Sequence, residues 1–279
     1  LPGACSRFLD HFRPQIGLLM ETEIWPNLIA AAGNRNLPLA LINARLSARS
    51  QRGYARLPSL IGPALASLNA VAAQTVADGE RLQQLGARRV SVCGNLKFDV
   101  SPAPEQLRQG ESWRQSLGAR PVWLAASTRE GEEALILDAF AALRIPGLLL
   151  LLVPRHPQRF TAVADLVDER RLRLCRRSSG TLPSPATQVW LGDSMGEMVA
   201  YYALADLALI GGTLLPFGGQ NLIEAAACGC PVLLGPHSFN FAQASADAIA
   251  CGAALQVADV GEAATAAGEL IGHPPRLCA

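Results

Sequence analysis

Gly218-Gly219-Gln220-Asn221-Leu222-Ile223-Glu224 runs into the small-residue stretch Ala225-Ala226-Ala227 and, past Gly229, into Pro231-Val232-Leu233-Leu234-Gly235. The order reads as a glycine-rich turn, a helix with Glu224 about one turn inside it, and a buried strand. Glycines let a ligand come close to the backbone, and a helix start presents unpaired N–H groups to an anion. Glu224 follows Asn221 by three residues, so both share one helix face, where the carboxylate can accept hydrogen bonds from a ribose diol. The pattern points to a parallel α/β unit that holds a sugar nucleotide.

Outward from this stretch, apolar strands and helical segments alternate along the whole chain, as parallel α/β units do. In the first half, strands are predicted at 16–20, 37–42, 70–73 and 89–93, and helices at 26–33, 44–57 and 77–85. Ser101-Pro102-Ala103-Pro104 interrupts the pattern and marks a loop or hinge, followed by a helix at 105–117. The second half restarts with a strand at 122–125, then Ser127-Thr128-Arg129-Glu130, read as a capping box that opens a helix. Further strands are expected at 148–153, 173–175, 188–191, 207–210, 232–234 and 254–257. Two α/β domains follow, 1–98 and 99–279.

The 279 residues are half apolar and only 17% charged, which suits real cores and excludes a disordered or fibrous chain. A net charge of +1 argues against a general nucleic-acid binder. That charge is uneven: residues 1–98 hold eleven Lys/Arg against five Asp/Glu, so an anionic partner is expected at the first half. Seven scattered cysteines without metal-site spacing suit a reduced, cytoplasmic protein. The four histidines, His11, His156, His237 and His273, also lack ligand spacing. No apolar run approaches the ~18 residues of a membrane span. No dinucleotide fingerprint, Walker A lysine or serine-hydrolase elbow is present.

Polar groups cluster just after the predicted strands, where open α/β sheets bind ligands. They are Ser127-Thr128, Pro154-Arg155-His156-Pro157, the run Gly192-Asp193-Ser194-Met195-Gly196-Glu197-Met198, and Gly211-Gly212-Thr213. Arg155 is the natural phosphate partner, with a surface ion pair as the alternative. His156 is either a ligand contact or a structural histidine, and Glu197 and Glu224 either bind or serve their helix starts. In the first half, Glu21 and Glu23 follow a strand, and Glu23 could instead cap the helix at Pro26. Arg45, Arg49, Arg52 and Arg56, read as one helix, fall within a stripe of about 60° in a stretch with no acid. That stripe suits phosphates or anionic lipid headgroups, against the alternative of a solvated helix face.

Taken together, the runs 20–27, 43–50, 94–99, 127–133, 153–160, 192–198, 218–224 and 235–241 resemble the Kdo transferases of Gram-negative lipopolysaccharide biosynthesis. The resemblance implies α/β architecture of GT-B type, two Rossmann-like domains facing across a cleft, the first incomplete in this chain. It implies an inverting glycosyltransferase that needs no metal or cofactor and moves Kdo from CMP-Kdo to an anionic lipid A precursor. The site of action would be the cytoplasmic face of the inner membrane.

Under this reading Ser127, Thr128 and Arg155 hold the donor phosphate, with backbone N–H groups near Gly196 and Gly219 assisting. His156, Met195 and Glu197 complete the donor site, and Asn221 and Glu224 take the ribose. Asn43, Arg45, Arg49, Arg52 and Arg56 would meet the acceptor. Glu21, Glu23 and Lys97 would support catalysis. The family's general base, a membrane-anchoring helix and the first α/β units would lie ahead of Leu1, so the chain by itself would be inactive. Its usual His is replaced by Gln220. The alternatives are a nucleotide-sugar 2-epimerase of the same fold and a non-catalytic sugar-nucleotide or lipid-binding remnant.

Overall fold

The computed structural model describes residues 2–272. His273 lies outside the described residues. The chain divides into two compact units, Leu1–Asp99 and Val100–Ala279.

The first unit runs α1 (Pro2–Phe12), β1 (Gly17–Met20), α2 (Pro26–Gly33), β2 (Leu39–Ala44), α3 (Ala48–Tyr54), α4 (Pro58–Ala66), β3 (Ala70–Ala73), α5 (Val76–Gln84) and β4 (Val90–Val92). Its described strands form one parallel sheet in the order β1-β2-β3-β4. Leu41, Ala44 and Val71 bury against Ile29 and Ala32 of α2, Leu65 of α4 and Leu82 of α5. Proline at the first position starts α2 and α4, where a missing N–H costs nothing.

The predicted helix at 44–57 is corrected here. Pairing with β3 keeps β2 extended to Ala44, and Ser47 then caps α3 by accepting from the Ser50 N–H at 3.1 Å. Pro58 opens a separate helix. Arg49 and Arg52 lie in α3, whereas Arg45 precedes it and Arg56 follows it, so the four-arginine stripe does not exist as one helix face.

The second unit runs α6 (Pro104–Leu117), β5 (Val122–Thr128), α7 (Glu132–Ala142), β6 (Leu149–Pro154), α8 (Phe160–Glu169), β7 (Leu174–Arg176), β8 (Val189–Leu191), α9 (Met198–Leu204), β9 (Leu207–Ile210), α10 (Ile223–Ala227), β10 (Val232–Leu234), α11 (Ala242–Ala250), β11 (Ala254–Gln256) and α12 (Val260–Gly272). The sheet is parallel throughout, ordered β11-β10-β9-β5-β6-β8-β7. Every residue of β6 and β9 is buried, because helices cover both faces. Trp113, Trp190 and Tyr201 pack on one face, and Ile136, Leu137, Val163 and Ala267 on the other. A side chain at Gly110 would come within 2.4 Å of the Ala200 carbonyl, so α6 and α9 touch backbone to backbone there.

The chain enters at the central strand β5, builds outward through β6, and returns to β9 on the other flank. That reversal between β5 and β9 is where such sheets open a crevice beyond their carboxyl ends. The expected capping box at 127–130 is also corrected. β5 continues through a register shift to Thr128, with Ser127 at φ +57°, and α7 starts only after Gly131 at φ +90°. Among the described residues, no helix is long and apolar enough to cross a membrane.

Candidate functional site

A cavity of about 680 Å³ opens at the carboxyl edge of the second sheet. Ser127 ends β5 there, Pro154 and Arg155 follow β6, and Ser194–Val199 follow β8. Gln220, Asn221 and Glu224 arrive from the segment after β9. The loop residues 100–103 and Gln106 of α6 line it as well.

The strand-end geometry decides which side chains reach this space. The bulge at Ser127 brings that residue to the cavity and turns Thr128 inward. Thr128 is 1% exposed and donates to Glu133 Oε1 at 3.2 Å, so the phosphate contact expected of it is corrected. Burial pushes the Glu133 carboxyl upward, and its bonds with Arg159 and Thr128 offset this only in part. Arg155 is anchored by its N–H to the Thr128 carbonyl at 3.0 Å, while its guanidinium has no ion-pair partner among the described residues. The surface ion pair weighed for Arg155 is therefore not what forms.

Asn221 and Glu224 come together, but not as a turn inside a helix. α10 spans five residues, and Glu224 is its second. Asn221 accepts from the Ile223 N–H at 3.0 Å and donates to Glu224 Oε1 at 3.2 Å, so Asn221 serves the helix start and leaves Glu224 Oε2 for a ligand. The Gly219 N–H donates to the Gly212 carbonyl at 2.7 Å, so the assistance to phosphate expected of it is corrected. Met195 and Gly196 line the cavity, and Gly219 and His156 do not. His156 instead lines a smaller cavity with Arg129, Arg159 and Phe217.

Glu197 lines the larger cavity as a saturated wall. It accepts from Ser194, from Arg177 at 2.8 Å, from Gln109 at 3.0 Å and from Tyr201 at 3.3 Å. Burial opposes its ionisation, yet the bonds from Ser194, Arg177 and Gln109 outweigh this and hold its pKa below the usual carboxylate range. Arg177 in turn lies 5.0 Å from the centre of the Trp113 ring, which fixes the wall to the core. Desolvation likewise pushes the Tyr201 phenol well up.

Sequence reasoning missed Glu132. Fully buried, it accepts from the N–H groups of Gly212 (2.7 Å), Arg129 (2.9 Å), Leu214 (3.0 Å) and Leu215 (3.4 Å). It fastens the turn after β9 to the loop after β5. The only sequence signal was a carboxylate pair after Gly131.

In the first unit, Glu21 sits at φ +58° just past β1 and pairs with Arg45 at 3.2 Å. Glu23 accepts from the Trp25 indole, and no side chain caps α2, so the capping role weighed for Glu23 is corrected. Asn43 is buried at φ +50°, and its side-chain oxygen accepts from the Leu96 N–H at 3.1 Å. That bond gives the Asn43 side-chain oxygen a structural role. Lys97 is exposed in the short turn Leu96–Phe98. Arg49, Arg52 and Arg56 are exposed. Among the described residues, no three His, Cys, Asp or Glu side chains converge as a metal site.

A family model described as 3-Deoxy-D-manno-octulosonic-acid transferase (kdotransferase) matches residues 1–100. A 3-deoxy-D-manno-octulosonic acid transferase of Bordetella pertussis is 50% identical over 281 residues, covering 99% of this chain. The chain spans 65% of that relative's length. The crystal structure of the C-terminal CMP-Kdo binding domain of WaaA from Acinetobacter baumannii is 33% identical with a TM-score of 0.61, covering 63% of this chain and 93% of that one. A UDP-GlcNAc 2-epimerase from Neisseria meningitidis has a TM-score of 0.59 at 15% identity, covering 99% of this chain and 73% of that one, a likeness of fold alone.

Proposed function

This chain belongs to the 3-deoxy-D-manno-octulosonic acid transferase family, and from that premise we propose that its second unit holds CMP-Kdo for transfer of the sugar to a lipid A precursor. The observation that carries this reading is Arg155, a guanidinium on the cavity without a carboxylate partner among the described residues. Arginine presents a planar fork suited to phosphate. Ser127 lies on the same cavity and would bind the phosphate beside it. Glu224, braced by Asn221, would accept from the ribose hydroxyls. Fixed donors on the departing phosphate stabilise charge as it develops, which is the contribution this unit would make to catalysis.

In the proposed reaction the acceptor hydroxyl gives its proton to a general base and attacks the anomeric carbon, and CMP leaves with the bonding pair, so configuration inverts without a metal or cofactor. Glu21 or Glu23 would help order the acceptor, and Lys97 would meet the carboxylate or phosphate of the donor. The exposed arginines Arg45, Arg49, Arg52 and Arg56 would meet its phosphates and the anionic cytoplasmic face of the inner membrane. Arg45 would do so from the loop after β2, where it pairs with Glu21 of the loop after β1.

Calorimetry with CMP, UMP and AMP tests the donor assignment. CMP should bind tightest, and Arg155→Ala should weaken it by about 1.5–3 kcal/mol, the worth of a hydrogen bond to a charged group. Equal affinity for the three nucleotides, or an unchanged affinity in the variant, overturns the assignment.

A further inference from the structure

The loops after β5 and β6 each serve two cavities. Ser127 and Arg155 line the larger one, while Arg129, Glu130 and His156 line a second cavity of about 380 Å³ with Gln158, Arg159 and Phe217. The two spaces differ in charge. The larger carries the Glu224 carboxylate, its Glu197 being neutralised by Arg177 at 2.8 Å. In the smaller, Arg159 is neutralised by Glu130 at 3.0 Å and Glu133 at 3.3 Å, whereas Arg129 has no carboxylate partner among the described residues. Arg129 instead lies over the Phe217 ring, 4.8 Å from its centre.

This pair is held from beneath. The buried Glu132 carboxylate accepts from the backbone of Arg129 and from Leu214 and Leu215 in the turn that carries Phe217. One side chain thus fixes both walls of the smaller cavity before any ligand arrives, which keeps the ordering cost of binding low. A phosphodiester anchored at Arg155 has two ester arms. Its nucleoside arm suits the acid-bearing cavity, where a ribose diol can donate. An arm bearing its own carboxylate is repelled there and attracted by Arg129.

Building on the donor reading above, we propose that the cavity between Arg129, His156 and Phe217 is the subsite for the carboxylate-bearing sugar of the donor. The Arg129 fork takes the carboxylate, Phe217 holds that fork in place, and His156 hydrogen-bonds a sugar hydroxyl.

The test is calorimetric, on the whole chain saturated with CMP, titrated with free Kdo and with Kdo whose carboxyl has been reduced to an alcohol. The acid should bind at least about tenfold more tightly than the alcohol, as expected for a lost charge-assisted hydrogen bond. Arg129→Ala should abolish that preference, and Arg129→Lys should restore only part of it, while CMP affinity stays within about twofold. Acid and alcohol binding alike to the unmodified chain overturns the proposal without recourse to any variant. So does a preference that survives in Arg129→Ala, or no binding of either sugar. If CMP fails to bind, the donor reading falls separately. The same two sugars titrated without nucleotide then decide the subsite, with an Arg129-dependent acid preference supporting it and its absence overturning it.

Discussion

Replacing Glu132 with Gln keeps the shape of the side chain and changes one oxygen into an NH₂ group. Oε2 accepts from Arg129 and Gly212, and Oε1 from Leu214 and Leu215. Whichever way the amide turns, two backbone N–H groups then face a donor. Each buried N–H left unpaired costs about 1–3 kcal/mol, so the loss should be about 2–6 kcal/mol. Against a typical total of about 5–15 kcal/mol this is large, and it should lower Tm by about 2–4 °C per kcal/mol for a unit of this size. Urea denaturation followed by the emission of the buried Trp113, Trp123 and Trp190, all in the second unit, reads the change. Glu130→Gln is the control, because Glu130 is 80% exposed and its pair with Arg159 should contribute little. A loss below about 1 kcal/mol in Glu132→Gln, or one matched by the control, would refute the claim that Glu132 fastens the turn.

Glu224→Ala should weaken CMP binding by about 1–3 kcal/mol, and a neutral result in calorimetry would return Glu224 to a helix-start role. Asp193 bears on acid stability. Its burial opposes ionisation, but the Ser178 hydroxyl and N–H and the Arg176 guanidinium hold its pKa below the usual value. The stabilisation from Asp193 is thus complete above the unfolded pKa of ~3.9 and lost as pH falls through the lower folded value. Thermal melts between about pH 6 and pH 3 should show the wild type losing more stability than Asp193→Asn, and parallel curves would contradict the assignment. Reversing Arg49 and Arg52 to Glu should weaken sedimentation with anionic vesicles, and rising salt should do the same to the wild type. Unchanged vesicle binding would sever these arginines from the membrane role.

Much of the fold was legible because long apolar runs bounded by turn residues leave little choice. The strands at 70–73, 207–210 and 232–234 and the helix at 26–33 lie where periodicity and Pro26 put them. The misreadings share one cause, a backbone set by distant partners. Residues 44–57 carry a helical spacing of arginines, yet pairing of Ala44 with Ala73 of β3 keeps the start extended. Ser127-Thr128 looks like a cap, yet the strand continues there because Thr128 still pairs with Pro154 of β6 beyond the bulge.

Within the site, Arg155 and Glu224 could be picked out because their chemistry is carried by their own side chains. Glu132 could not. Its partners are backbone N–H groups, which every sequence supplies and no motif records. Gly219 misled for the related reason that its N–H had another acceptor, the Gly212 carbonyl, brought close only by the folded turn.

The same property of Glu132 has a bearing on how such a protein can diverge. A clamp that grips main chain is indifferent to the side chains it fastens, so the turn keeps its course while the exposed Pro216 and Phe217 are free to change. Mutation can then sample new surfaces at the mouth of the smaller cavity without first dismantling the turn that supports them. A lineage built this way can change what it accepts by altering residues one at a time, with each intermediate still folded.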